Sequence, residues 1–156
     1  MSGVNTMPRA FLAAVLLAVS GCASQGMSAG VGRQVVATDN APKAIGPYSQ
    51  GIRAGDLLFV AGQTAIDPKL NQFMAGTIEE ETALALNNIK AVLEANGMTM
   101  GNVVSATVYM SDLNDFAKMN AVYGTYFKVA PPARATVQVA RMPRDAKVEI
   151  SVIAMK

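Results

Sequence analysis

From Arg33 onward, apolar positions recur at intervals of two in some segments and near three and a half in others, the mark of interleaved strands and helices. "RQVVA" (Arg33 to Ala37) predicts a short strand. "SQGIRAGDLLFVAGQ" predicts two more around Ala54-Gly55-Asp56, with Gly55 suited to a tight hairpin turn. A polar loop containing Pro68 is expected next. In "TIEEETALALNNIKAVLEANG", Thr77 and Glu80 have the spacing of a capping box, Ile78, Leu86, Ile89 and Leu93 fall near helical spacing, and Asn96-Gly97 forms the exit. "VVSATVYM" (Val103 to Met110), rich in β-branched residues, predicts a strand, and "DLNDFAKMNAVYGTYF" a second helix stopped by Pro131 and Pro132. Two alternating strands close the chain. In the first, Arg134, Thr136 and Gln138 alternate with Ala135, Val137 and Val139. In the second, Glu149 and Ser151 alternate with Val148, Ile150 and Val152. The element order predicts an α+β sheet with both helices on one side, and Arg134, Thr136, Gln138, Glu149 and Ser151 are expected to line the opposite, open face.

The first 21 residues follow another pattern. Arg9 is their only charge, and the apolar run from Ala10 to Val19 is too short to span a bilayer, which takes about 20 residues. Val19, Ser20, Gly21 and Cys22 resemble a bacterial lipobox, in which the cysteine is acylated and becomes the new N-terminus. The expected organisation is a signal peptide over 1–21, a flexible Gly/Ser/Ala-rich tether over 22–32 and a folded domain over 33–156. The expected location is the cell envelope, periplasm-facing and lipid-anchored at Cys22, with Ala23 after the cysteine favouring the outer membrane. A start at Met27 would remove the exporting segment and leave a cytoplasmic protein.

The chain of 156 residues has no histidine and one cysteine, which excludes a Ser-His-Asp triad, a Cys-His pair and a thiolate zinc cluster. Neither an EF-hand loop nor a glycine-rich phosphate loop is present, and no metal or other cofactor is expected. Loss of Arg9 with the leader would leave a formal net charge of +1. With no tryptophan and no aromatic-basic stripe, nucleic acid is not an expected partner. Arg141, Arg144 and Lys147 form a small basic cluster, read as a solvated turn. Arg134, placed directly after Pro131-Pro132 at the mouth of a strand, is the residue whose position asks for an explanation.

"APKAIGPYSQG", "LLFVAGQ", "LNNIKAVLEANG", "VVSATVYMSDLNDFAKMNAVYGTYF" and "PPARATVQVARMPRDAKVEIS" together resemble the RidA (YjgF) family, in order from about Val36 to the C-terminus. The resemblance implies a homotrimer of chorismate-mutase-like α+β fold, with ligand sites in clefts between subunits. It also implies hydrolysis of reactive 2-enamine and 2-imino acids to 2-keto acids and ammonia. Carried over by motif, Arg134 of "PAR" would fork onto the substrate carboxylate, and Glu149 of "KVEIS" would hold the attacking water and relay protons. Tyr48 would wall the substrate, Asn120 would hydrogen-bond in the cleft, and Gly62 would let its backbone approach a carboxylate. Thr136 stands where many members have a cysteine, which bears on substrate preference. The alternative reading is a non-catalytic trimer that captures small carboxylates in the same clefts.

Overall fold

The computed structural model describes residues 32–156, together with Met1 and Gly3. Apart from Met1, Gly3 and Gly32, the expected leader and tether, Cys22 included, lie outside the described residues. Among those described, no helix is long and apolar enough to cross a membrane.

Three strands, β1 (Arg33–Val36), β2 (Gly51–Ala54) and β3 (Leu57–Gln63), pair antiparallel in succession. Gly55 closes the β2–β3 hairpin at φ 60°, a left-handed conformation that glycine adopts without a Cβ penalty. Two short strands follow, β4 (Ile66–Asp67) and β5 (Gln72–Phe73), where a polar loop was expected. Local side-chain bonds make that hairpin: Asp67 Oδ1 accepts from the backbone N–H of Lys69 (2.8 Å) and Leu70 (2.9 Å). The buried Asn88 amide donates to the carbonyls of Thr64 and Ile66, which fixes this excursion to the next helix.

That helix, α1 (Ile78–Ala95), starts at the expected capping box, with Glu80 N donating to Thr77 Oγ1 (3.2 Å) and Thr77 N to Glu80 Oε2 (2.8 Å). β6 (Val103–Met110), α2 (Phe116–Tyr126), β7 (Ala133–Gln138) and β8 (Val148–Met155) complete the chain. The six long strands form one sheet in the order β1-β2-β3-β8-β6-β7, parallel only at β6–β7, the pair joined through α2. Both helices cover one face. There Leu58, Val60, Ala106, Val108, Met110, Val148, Ile150 and Val152 meet Ile78, Leu86, Ile89, Val92 and Leu93 in the core. Removing each large aliphatic side chain from water contributes about 1.5–3 kcal/mol. Tyr126 ties the helices together, its one hydroxyl proton lying between the Asn87 Oδ1 (3.0 Å) and Ala83 carbonyl (3.2 Å) acceptors.

The register corrects one expectation. Glu149, Ser151 and Ile153 pair with Tyr109, Thr107 and Ser105 on the open face. Arg134, Thr136 and Gln138 instead pair with Ala106, Val108 and Met110, whose side chains point to the helices. The polar positions of β7 and β8 therefore lie on opposite faces. β7 is the outermost strand, so its helix-side positions meet the margin of α2 rather than the core. Its apolar positions, Ala133, Ala135 and Val137, are exposed on the open face. That face is mixed rather than mainly polar: a row of Val35, Ile52, Phe59 and Ile153 crosses it beside Ser105, Thr107 and Ser151.

The basic cluster also divides. Arg141 and Arg144 are exposed, as a solvated turn requires, but Lys147 is half-buried. Its backbone N–H donates to the buried Glu81 carboxylate (2.8 Å), and its ammonium donates to the Gly76 carbonyl (2.8 Å) and lies 3.4 Å from the same carboxylate. This bond set joins the first turn of α1 to the start of β8.

Candidate active site

The residues singled out in the sequence fall into two groups. The first is built on β3 and β8. A register shift between Val60 and Gln63 carries Gly62 beside Glu149, where a Cβ would fall on the carboxylate, 2.8 Å from its Cδ. Only glycine lets the two strands approach so closely without displacing that side chain. Glu149 is half-buried, and burial raises its pKa above the ordinary carboxylate range. Desolvation is the cause of that shift. Tyr48 lies across the mouth, its hydroxyl accepting from the Ile45 N–H (3.3 Å). Tyr48, Gly62, Thr64, Arg144 and Glu149 are among the walls of a cavity of about 370 Å³.

The second group is built on α2 and β7. Phe116, Asn120, Tyr123 and Phe127 recur at spacings of four, three and four, which aligns them along one side of α2 and its exit. The guanidinium of Arg134 lies against this stripe. Its Nη2 donates to Asn120 Oδ1 (2.7 Å), and its Cζ stands 4.4 Å from the centre of the Tyr123 ring and 5.7 Å from that of Phe116. Pro131 and Pro132 stiffen the approach and help line a cavity of about 400 Å³ with Asn120, Tyr123, Phe127 and Arg134. A guanidinium anchored by one nitrogen and supported on an aromatic face keeps further N–H groups for a planar anion. Thr136 shares the helix-side face with Arg134, and its Oγ1 is buried without a hydrogen-bond partner among the described residues.

Each residue expected in the site lies in one of the two groups, but a single chain does not join them. Tyr48, Gly62 and Glu149 share one cavity, while Asn120 and Arg134 share another. Tyr123 was not singled out in the sequence, although its spacing from Phe116 and Asn120 carried the signal. Among the described residues no cluster of acidic or sulfur side chains could hold a metal ion.

The architecture defines a class: an α+β fold whose six-stranded main sheet carries both helices on one face and leaves an exposed, mixed opposite face. The chain belongs to the family described as Endoribonuclease L-PSP, whose pattern matches residues 38–156 and which embraces the RutC and RidA proteins. It is 52% identical over 124 residues to a RutC family protein of Pyrococcus horikoshii, covering 80% of this chain and 98% of that one. It is 44% identical to the 2-iminobutanoate/2-iminopropanoate deaminase of Mus musculus, covering 80% and 92% of the two chains. Among solved structures, Escherichia coli TdcF with bound serine superposes with a TM-score of 0.76 at 40% identity, over 79% of this chain and 98% of that one. The family thus includes imine deaminases, and its fold is the one observed here.

Proposed function

We propose that this protein hydrolyses 2-imino acids, with their enamine tautomers, to 2-keto acids and ammonia. The observation that carries this reading is Glu149: a carboxylate held against Gly62, with its proton affinity raised by burial toward the range where one group both takes and returns a proton. The deaminases among its relatives support it. In the reaction, Glu149 removes a proton from water as the water oxygen bonds to the imine carbon. As the C=N electron pair shifts to nitrogen, Glu149 passes that proton to it and a neutral carbinolamine forms. Glu149 then takes the carbinolamine hydroxyl proton and delivers it to the amine, the C–N bond breaks, and ammonia leaves as the carbonyl forms. Arg134 holds the substrate carboxylate, and Tyr48, Asn120, Gly62 and Thr136 shape the pocket.

Because Arg134 and Glu149 occupy opposite faces of one sheet, the complete site is assigned to the contact between two copies. Each contact of a homotrimer would take Glu149 from one subunit and Arg134 from the next. The test mixes two variants, Glu149→Gln and Arg134→Ala, each expected to be inactive toward freshly generated 2-iminopropanoate. After dissociation and random reassembly at equal ratio, about one site in four combines an intact Glu149 with an intact Arg134. Activity should return to roughly that fraction of the parent. No recovery from confirmed mixed trimers would refute the shared site. A parent that binds pyruvate but never accelerates imine decay would replace the enzyme with a carboxylate-binding module. For location, we infer from Val19-Ser20-Gly21-Cys22 alone that an acylated Cys22 tethers the domain to the cell envelope.

A further inference from the structure

We propose that the Tyr123 hydroxyl is a further binding donor of the Arg134 cavity, donating to an oxygen of the carboxylate that Arg134 holds. The inference rests on the reading of Arg134 as the clamp. Tyr123 is 4% exposed, and its hydroxyl oxygen is buried with no hydrogen-bond partner among the described residues. Such an oxygen is costly to leave unpaired, and phenylalanine would fill the same space without it. The ring itself is fully engaged. It packs against Phe127 at 4.5 Å between centroids and carries the Arg134 guanidinium at 4.4 Å. Packing accounts for the ring but leaves the hydroxyl unexplained.

The chemistry of the surroundings points to an anion as the missing partner. Arg134 acts on the hydroxyl by its charge and as a donor close to its oxygen, which leaves the O–H itself without an acceptor, and Asn120 occupies one of the guanidinium's nitrogens. Burial pushes the Tyr123 pKa up, against the pull of Arg134, so at neutral pH the group is a protonated donor. A carboxylate has about four lone-pair sites and a guanidinium fork fills two of them. A hydroxyl beside the fork can fill a third. Thr136 Oγ1 is also unpartnered among the described residues and lies on the same face of β7 as Arg134, though it is not a wall of that cavity.

The experiment compares Tyr123→Phe with the parent in two measurements, pyruvate affinity by titration calorimetry and the melting temperature of the ligand-free protein. Tyr123→Phe keeps the ring, the guanidinium stack and the packing. A lost hydrogen bond to a charged ligand should weaken pyruvate binding about tenfold to a hundredfold. The melting temperature should stay level or rise, because an unpaired polar atom has been removed from the interior. Parent-like pyruvate affinity overturns the proposal. So does a lowered melting temperature, which would give the hydroxyl a partner within the fold. Arg134→Lys separates the two readings: if that variant binds pyruvate as the parent does, the clamp itself is wrong. If it binds weakly while Tyr123→Phe binds normally, only the hydroxyl's role fails.

Discussion

Replacing Gly62 with alanine tests whether the position of the Glu149 carboxylate matters to the chemistry. Gly62 is not among the glycines with positive φ, so alanine meets no backbone strain there and the whole perturbation is one methyl group. That methyl would lie 2.8 Å from Glu149 Cδ and 3.0 Å from Cγ. Carbon atoms rest at about 3.5–4.0 Å, so the carboxylate, whose Oε1 is nearer still, must retreat by roughly 0.7–1.2 Å. Glu149 is half-buried and can swing outward, which keeps the stability cost near the low end of overpacking, about 1 kcal/mol. The catalytic cost is larger, because a misplacement of about 1 Å in a reacting group lowers rates on the order of a hundredfold. Turnover of freshly generated 2-iminopropanoate and thermal unfolding would be measured on the same preparation. Adding Glu149→Asp, which withdraws the carboxylate by one methylene, should make the double variant less impaired than the product of the two single effects. A folded Gly62→Ala protein that deaminates at the parent rate would refute both the placement of the base and its role.

The pH dependence has a fixed sign. Since Glu149 acts ionised and burial raises its pKa, the acid limb of kcat/KM should lie above the ordinary glutamate value of 4.5. The same shift affects stability: the contribution is present below the unfolded-chain pKa and is lost as pH rises through the folded one, so Glu149→Gln should melt higher than the parent at neutral pH, with the gap closing on acidification. Glu81→Ala should cost about 1–3 kcal/mol in chemical denaturation, because the buried acceptor of the Lys147 N–H disappears while the ammonium can turn to water; an unchanged midpoint would discount the link between α1 and β8. A protein lacking residues 1–32 should still run as a trimer by light scattering, and a stable monomer would break the shared-site reading. Cys22→Ser should move the full chain from the membrane to the soluble fraction, and no shift would remove the anchor.

What the sequence made legible was whatever local chemistry decides. The capping box at Thr77 and Glu80, the hairpin at Gly55 and the alternation of β8 each follow from bonds or burial within a few residues, and each appears in the fold as expected. The β4–β5 hairpin is turned locally by Asp67, but what holds it as paired strands against the fold is Asn88 reaching back from α1 to the Thr64 and Ile66 carbonyls, 24 and 22 residues away, and that contact was not legible. Lys147 was read as solvated for the same reason, since its partner Glu81 is 66 residues away in the chain. Motif resemblance named Gly62, Glu149, Asn120 and Arg134, but it could not group them. Grouping requires knowing which face of the sheet each residue occupies.

β7 shows why that knowledge was out of reach. Alternation assigns residues to two faces but does not say which face is the core, and the usual rule is to send the apolar set inward. At Ala133, Ala135 and Val137 the rule fails, because an outermost strand paired to β6 alone has no core beneath it. Its register is set by β6, where Ala106 and Val108 already face the helices and draw Arg134 and Thr136 to the same side. The small apolar side chains thereby left on the open face share it with the exposed Phe59 and Val35, across Ser105 and Thr107, and the proposed trimer would cover that face. Arg134 is turned toward α2, where Tyr123 and Asn120 hold its guanidinium. In the shared site proposed above, the parity that separates Arg134 from Glu149 within one chain would leave each of them to be met by a neighbour.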